Sequence, residues 1–261
     1  LLDTSWLLAH TKMCKLDTIK LFCIRKAFRT LKCMRNARMT LFIITLGFEE
    51  KFAVRMITRH GLDKGDRLLL VTGPRTPQSE RAASFLSDFT KRYYGGEVTV
   101  EVEEVRVSDF IELVHRLYGL VAARAREGER VVFNLSGGMR TLCLAAFTAA
   151  LLLSARQPVE VELETEDSKA LIEVPRAVLE LPRTLSSLGR ERVEVLTELL
   201  RRSRSARELA EELGKDETTV RRHLQELVES GLAETVGRRP RSYRLAKLGE
   251  LVLQALPREP T

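Results

Sequence analysis

From residue 39 to about residue 182 the chain alternates short apolar runs with longer amphipathic stretches, and that alternation limits the fold more than any other feature. Leu41–Leu46 holds one Thr among apolar residues, and Arg67–Thr72 and Arg130–Asn134 are apolar in their interiors. A strand with one wet face would alternate apolar and polar residues. Unbroken apolarity suits a strand covered on both faces, as in a parallel sheet. Val98–Val107 is strand-like, and two further strands are expected near Val159–Glu164 and Ala170–Val174. Between the strands, Lys51–His60, Pro77–Tyr94, a segment from Ser108 and Asp109 to about Ala125, and Met139–Ser154 read as helices. Gly61 and the pair Gly95-Gly96 are placed to end the first two. Met139–Ser154 is apolar nearly all round, which predicts burial. The fold class that follows is α/β, a Rossmann-like parallel sheet sandwiched by helices over residues 39–182.

The pattern changes near Pro182. Residues 183–189 are short and polar and read as a linker. Residues 190–261 read as a separate small domain, and 261 residues suffice for two domains. In it, Arg190–Arg202 is amphipathic, Ser205–Leu213 is a second short helix, and Gly214-Lys215 makes a turn. Asp216–Ser230 is a third helix, capped by Asp216 and ended by Gly231. Leu232–Val236 and Ser242–Leu245 flank Gly237–Arg241, the pattern of a two-stranded wing, and Ala246–Leu256 closes as a helix. The order is that of a winged helix-turn-helix.

Net charge is distributed unevenly. Residues 1–38 carry +7, as much as the whole chain, against −3 for residues 39–182 and +3 for residues 183–261. The same 38 residues hold Cys14, Cys23, Cys33 and Trp6, leaving only Cys143 in the body of the chain. They read as an atypical basic extension upstream of a natural start at Met39. A basic targeting segment and an amphipathic helix are the alternative readings. Neither a disulfide framework nor zinc spacing is present, so a reducing cytoplasm is the expected location. No eighteen-residue apolar stretch exists, so no membrane span is expected.

In the third helix of the small domain, Val220, Leu224 and Leu227 form an i, i+4, i+7 stripe for the core. The opposite side presents Thr218, Thr219, Arg221, Arg222 and Gln225, side chains that reach phosphates and base edges in a major groove. Arg238, Arg239 and Arg241, stiffened by Pro240, suit a minor groove or flanking phosphates. Double-stranded DNA is the expected partner. A solvated charged face, or a winged helix used for protein contacts, would use the same residues differently. His223 lies beside the stripe and reads as a partly buried packing residue.

Two loops follow strands of the first domain, at the edge where open parallel sheets bind ligands. One is Thr45–Lys51, with Gly47, Phe48, Glu49 and Lys51. The other is Asn134–Arg140, with Asn134, Ser136, Gly137, Gly138, Met139 and Arg140. Glycines let a ligand approach the backbone and free amides to donate, Ser136 is placed to cap the next helix, and Arg140 adds charge. Gly73 and Arg75, after the second strand, add a third wall. The loops match neither GxxxxGK[ST] nor GxGxxG. No metal ligands, catalytic cluster or cofactor are expected.

The runs Leu46-Gly47-Phe48-Glu49 and Asn134-Leu135-Ser136-Gly137-Gly138-Met139-Arg140 resemble the two signature motifs of the CRISPR-associated Rossmann fold, or CARF, domain. CARF followed by a winged helix-turn-helix resembles the archaeal CRISPR-locus transcription regulators of that family, over about residues 39–256. The resemblance implies a homodimer whose paired CARF domains hold one cyclic oligoadenylate, usually cyclic tetra-adenylate, across the two-fold axis, with DNA of the CRISPR locus or cas promoters as the other partner. A ring of phosphates wants amide donors and Arg, and a symmetric ring suits a symmetric dimer. The alternative is a ring nuclease using Lys51, Ser136 and Arg140. A metabolic Rossmann enzyme with an accessory winged helix is disfavoured by the missing dinucleotide fingerprint.

Overall fold

The computed structural model describes residues 39–167, 169–237 and 241–256. The expectations for residues 1–38 and for Arg238 and Arg239 lie outside them. Strands β1 (Thr40–Leu46), β2 (Arg67–Thr72), β3 (Thr99–Glu104), β4 (Arg130–Asn134), β5 (Val159–Glu164) and β6 (Leu171–Val174) form one sheet in the order β3-β2-β1-β4-β5-β6. β1 to β5 are parallel, and β6 pairs antiparallel with β5. All seven residues of β1 are buried, as its central place and apolar run require.

Helices α1 (Lys51–His60) and α2 (Pro77–Tyr94) cover one face, where Phe42, Ile44, Leu68, Leu70 and Val132 meet Met56, Ile57 and Leu86. Helices α3 (Phe110–Ala122) and α4 (Arg140–Ser154) cover the other, over Leu41, Ile43, Leu69, Val71, Val131 and Phe133. Helix α3 starts at the Asp109 cap that the sequence predicts, and α2 starts at a cap that the sequence reading does not name. Thr76 and Ser79 form a reciprocal capping box on α2, and the Asp109 carboxylate accepts from the Glu112 amide on α3. Helix α4 departs from the expectation of all-round burial: Leu144 is 61% exposed and Leu152 52%.

The connector that contains residues 183–189 is largely helical. Helix α5 (Arg176–Leu179) and helix α6 (Leu181–Ser187) fill it, leaving only Leu188 and Gly189 before the next helix. Pro182 lies in the first turn of α6, where a missing N–H costs nothing. Leu179 is buried in the core of the sheet domain, while Leu181 and Leu188 pack on the core that follows.

That core joins α7 (Arg190–Arg201), α8 (Ala206–Leu213), α9 (Glu217–Glu229), the antiparallel pair β7 (Ala233–Val236) and β8 (Ser242–Leu245), and α10 (Lys247–Ala255). Gly214 turns the chain between α8 and α9 at φ +62°, a left-handed conformation that a Cβ would oppose. Arg204 and Tyr243 exchange two backbone hydrogen bonds, at 2.9 and 2.7 Å, so a third short strand segment supports the hairpin. Among the described residues, no helix is long and apolar enough to cross a membrane.

Candidate functional site

β1 and β4 are neighbours, yet the helices that follow them lie on opposite faces of the sheet. Their C-terminal ends therefore splay apart and leave a crevice, the place where such sheets bind ligands. A cavity of about 680 Å³ opens there. It is lined by Gly47, Phe48, Glu49 and Lys51 from the first loop and by Ser136, Gly137, Gly138 and Met139 from the second. Gly73 joins them from the β2 loop.

The glycines are required by close approach. A Cβ on Gly47 would lie 2.9 Å from the Gly138 nitrogen, and one on Gly137 would lie 2.9 Å from the Thr45 carbonyl oxygen. Gly138 has φ +92°. The two loops thus interlock backbone against backbone, which no side chain would permit.

Three expected residues are placed differently. Asn134 is fully buried beneath the loop rather than in the cavity. Its Nδ2 donates to Glu162 at 2.9 Å, and its Oδ1 accepts from the Ser136 amide at 3.3 Å. Arg75 lies outside the cavity, paired with Glu104 at 3.1 Å. Arg140 is exposed at the start of α4 and does not line the cavity. Ser136 lines it but does not cap α4. The N-cap is Met139, with no side-chain bond, and the Ser136 hydroxyl, three residues earlier, accepts instead from the Glu164 amide at 2.9 Å. The first-turn amides of α4 therefore have no side-chain cap, and the helix dipole adds a partial positive charge beside the second loop.

Lining residues that the loops alone do not announce are Phe52, Thr72, Pro74, Thr76, Ser79 and Glu166. Thr76 and Ser79 form the capping box of α2, whose N-terminus faces the same crevice.

Behind the cavity lies a charged cluster. Glu162 accepts from Arg59 at 2.8 Å and pairs with His60 at 2.9 Å, and Glu164 pairs with Arg55 and Arg59, each at 2.8 Å. Burial pushes the Glu162 carboxyl up. The hydrogen bonds from His60 and Asn134 and the charges of His60 and Arg59 outweigh it, lowering the pKa to about 2. Among the described residues, no group of His, Cys, Asp or Glu is arranged to hold a metal.

The second candidate surface is on α9. Val220, Leu224 and Leu227 are buried, while Thr218, Arg221, Arg222 and Gln225 are exposed and Thr219 is half-buried. The Asp216 carboxylate caps the helix by accepting from the Thr218 and Thr219 amides at 2.8 and 3.2 Å. Gln225 bonds Glu229 at 3.0 Å and Arg221 pairs with Glu217. Arg222 has no ion-pair partner among the described residues. A cavity of about 350 Å³ brings Arg207 of α8, Arg221 of α9 and exposed Arg241 together. Arg207 was not anticipated, because its helix reads as purely structural in the sequence. His223 is buried, with Nε2 3.1 Å from Glu191.

Comparison with known proteins follows this division. Residues 40–175 match the Csa3 CRISPR-associated Rossmann-like domain, and residues 184–258 match the HVO_A0261 N-terminal domain. The CRISPR locus-related protein Csa3 of Thermoproteus tenax is 30% identical over 207 residues, which are 77% of this chain and 88% of that protein. Csa3 of Saccharolobus solfataricus is 24% identical over 218 residues, covering 83% of this chain and 88% of that protein. With its sheet domain matched throughout and both relatives covered nearly end to end, the chain belongs to the Csa3 family of CRISPR-associated proteins with a Rossmann-like domain.

Proposed function

We propose that this chain is a ligand-responsive transcription regulator of the CRISPR locus. Its Rossmann-like domain, residues 39–182, takes a cyclic oligoadenylate, and residues 190–261 bind double-stranded DNA as a winged helix. The observation that carries the ligand reading is the interlock of two glycine loops at the crevice. Among the described residues, the amides of Gly137, Gly138 and Met139 donate to no protein acceptor, so they are available to an anion. Exposed Phe48 and Met139 at the rim, 66% and 48% exposed, offer apolar surface to bases. Cyclic tetra-adenylate supplies both phosphates and bases.

A homodimer fits the uncovered outer face of α4. Leu144, Thr148 and Leu152 recur every four residues there, and Ile111 of the adjoining α3 is 73% exposed. Helix α4 starts at the second loop, so a two-fold beside it would bring two cavities toward one ring. The DNA reading rests on α9 and on the Arg207–Arg221–Arg241 cavity, and both Csa3 relatives are named for DNA binding.

The test is incubation of the protein with labelled cyclic tetra-adenylate, followed by titration with DNA of its CRISPR locus. Micromolar or tighter binding of both, with the ring intact after hours, supports the sensor. Failure to bind the ring removes the ligand reading. Cleavage of the ring assigns the cavity to a ring nuclease instead.

A further inference from the structure

The polar group that the second loop turns inward is the Gly137 carbonyl. The Thr45 hydroxyl donates to it at 2.6 Å, and the Cys143 thiol donates to it at 3.0 Å. The Thr45 hydroxyl also lies 3.3 Å from the Asn134 carbonyl, but its single proton favours the nearer oxygen. Burial pushes the Cys143 thiol up from its ordinary pKa, against the opposing effect of its contact with Thr45, so the sulfur keeps the proton it donates. Thr45 is 1% exposed and sits on β1, the central strand, while Cys143 is on α4. Two rigid elements therefore hold one carbonyl.

A trans peptide unit points its C=O and its N–H in opposite directions. Fixing the Gly137 oxygen toward β1 and α4 turns the Gly138 N–H away from them, to the side of Gly47 and the cavity. Glycine at both 137 and 138 removes the Cβ that would resist a flip of this peptide plane, so its orientation is left to these hydrogen bonds and to the packing of the two loops. An amide that can flip would present a carbonyl to an anion as readily as a donor.

We propose that Thr45 and Cys143 are positioning residues that clamp the Gly137–Gly138 peptide so that its N–H, not its C=O, faces a phosphate of the ligand. The inference rests on the ligand reading of the cavity and adds what holds its donor in place. Neither side chain touches the ligand. Thr45 acts through the loop backbone and carries the larger share, because its hydrogen bond is shorter and its donor stronger than a thiol.

The test compares wild type, Thr45→Val, Thr45→Ser and Cys143→Ala for cyclic tetra-adenylate affinity by calorimetry. The Gly138 amide resonance is followed through the same titration. Valine keeps the shape and removes the proton, and serine restores the proton. Thr45→Val is expected to weaken binding about tenfold or more, as loss of a charge-assisted donor does, and to abolish the ligand-induced shift of the Gly138 amide. Thr45→Ser is expected to bind within about twofold of wild type, and Cys143→Ala to fall between. A merely structural role for Thr45 would lower the melting temperature but leave the affinity of the folded protein, and the Gly138 shift, unchanged. Equal affinity in wild type, Thr45→Val and Cys143→Ala overturns the clamp while the cavity remains a ligand site. If Thr45→Val does not fold, unaltered affinity and unaltered Gly138 shift in Cys143→Ala overturn it alone. Absence of binding by wild type overturns the ligand reading itself, and the clamp with it.

Discussion

Glu162 keeps its charge although its side chain is only 6% exposed, because Arg59, His60 and Asn134 all turn to it. The linkage has a definite sign. The folded pKa of about 2 lies below the ordinary 4.5, so the carboxylate stabilises the fold fully above about pH 4.5. That contribution is lost as pH falls from 4.5 toward 2. Glu162→Gln should cost about 2 kcal/mol at pH 7, less than a fully buried pair because Arg59 is partly solvated. The gap between wild type and variant should close below about pH 4.5. Urea melts of both proteins from pH 7 to pH 3 check this, and a gap that stays constant with pH would mean that Glu162 is not ionised in the fold. The same cluster explains why Asn134 was misplaced by sequence. Its position at the head of the second loop suggests a ligand contact, but its partner comes from β5, 28 residues later, and no local pattern announces it. Gly47, Gly137 and Gly138 were legible because glycine at a strand-to-helix turn has few other uses.

Elements with strong periodicity or a cap stood in the sequence almost as they stand in the fold: α1, α2 and α4 follow their apolar spacing, and α9 its spacing and its Asp216 cap. Less was legible where pairing decides. β6 runs antiparallel because only Thr165–Ala170 separates it from β5, too short a connection for the crossover that parallel pairing needs. Composition shows the shortness but not which strand it joins. The polar connector became helix α6 because Leu181 and Leu188 have a core to pack on, a tertiary cause. For α9 the capped, interleaved helix leads to a prediction with two parts. Arg222, free of ion pairs among the described residues, should read bases, so Arg222→Ala should cost about 1–3 kcal/mol on the cognate operator and relax its sequence preference. Arg241, beside Arg207 and Arg221, should hold phosphate. Arg241→Ala should weaken binding evenly across sequences and reduce the salt slope by about 1. Titrations of operator and scrambled DNA at several salt concentrations separate the two. Wild-type behaviour of both variants would mean that α9 does not dock in this way.

At the scale of the whole molecule, the connector bonds to both halves, and this bears on regulation. Helix α4 begins at the second glycine loop and ends at Ser154, whose hydroxyl lies between the Leu151 carbonyl of its own helix, at 2.7 Å, and the Leu179 carbonyl of α5, at 3.0 Å. Two residues before Leu179, Ala177 lies against Gly231 at the end of α9, so closely that a Cβ on Gly231 would come within 2.8 Å of the Ala177 methyl. Arg192 bonds the Ser187 carbonyl of α6 at 2.7 Å and Glu226 of α9 at 3.0 Å. If the proposed ligand shifts α4, packed neighbours carry that shift to the proposed recognition helix. If the ligand alters operator affinity, DNA must alter ligand affinity by the same factor, and a coupling of about 1–3 kcal/mol corresponds to roughly 5–150-fold. Operator affinity with and without saturating cyclic tetra-adenylate should differ by that factor in wild type. Gly47→Ala, whose Cβ would meet the Gly138 nitrogen at 2.9 Å and part the two loops, should lose the response by losing the ligand, with ligand-free DNA binding unchanged. Arg192→Ala should keep ligand affinity yet narrow the ratio, because it cuts the bonds from α7 to α6 and α9. Equal operator affinities in the two conditions, with ligand binding confirmed separately, would remove the allosteric reading and leave ring cleavage or ligand buffering as the role of the cavity.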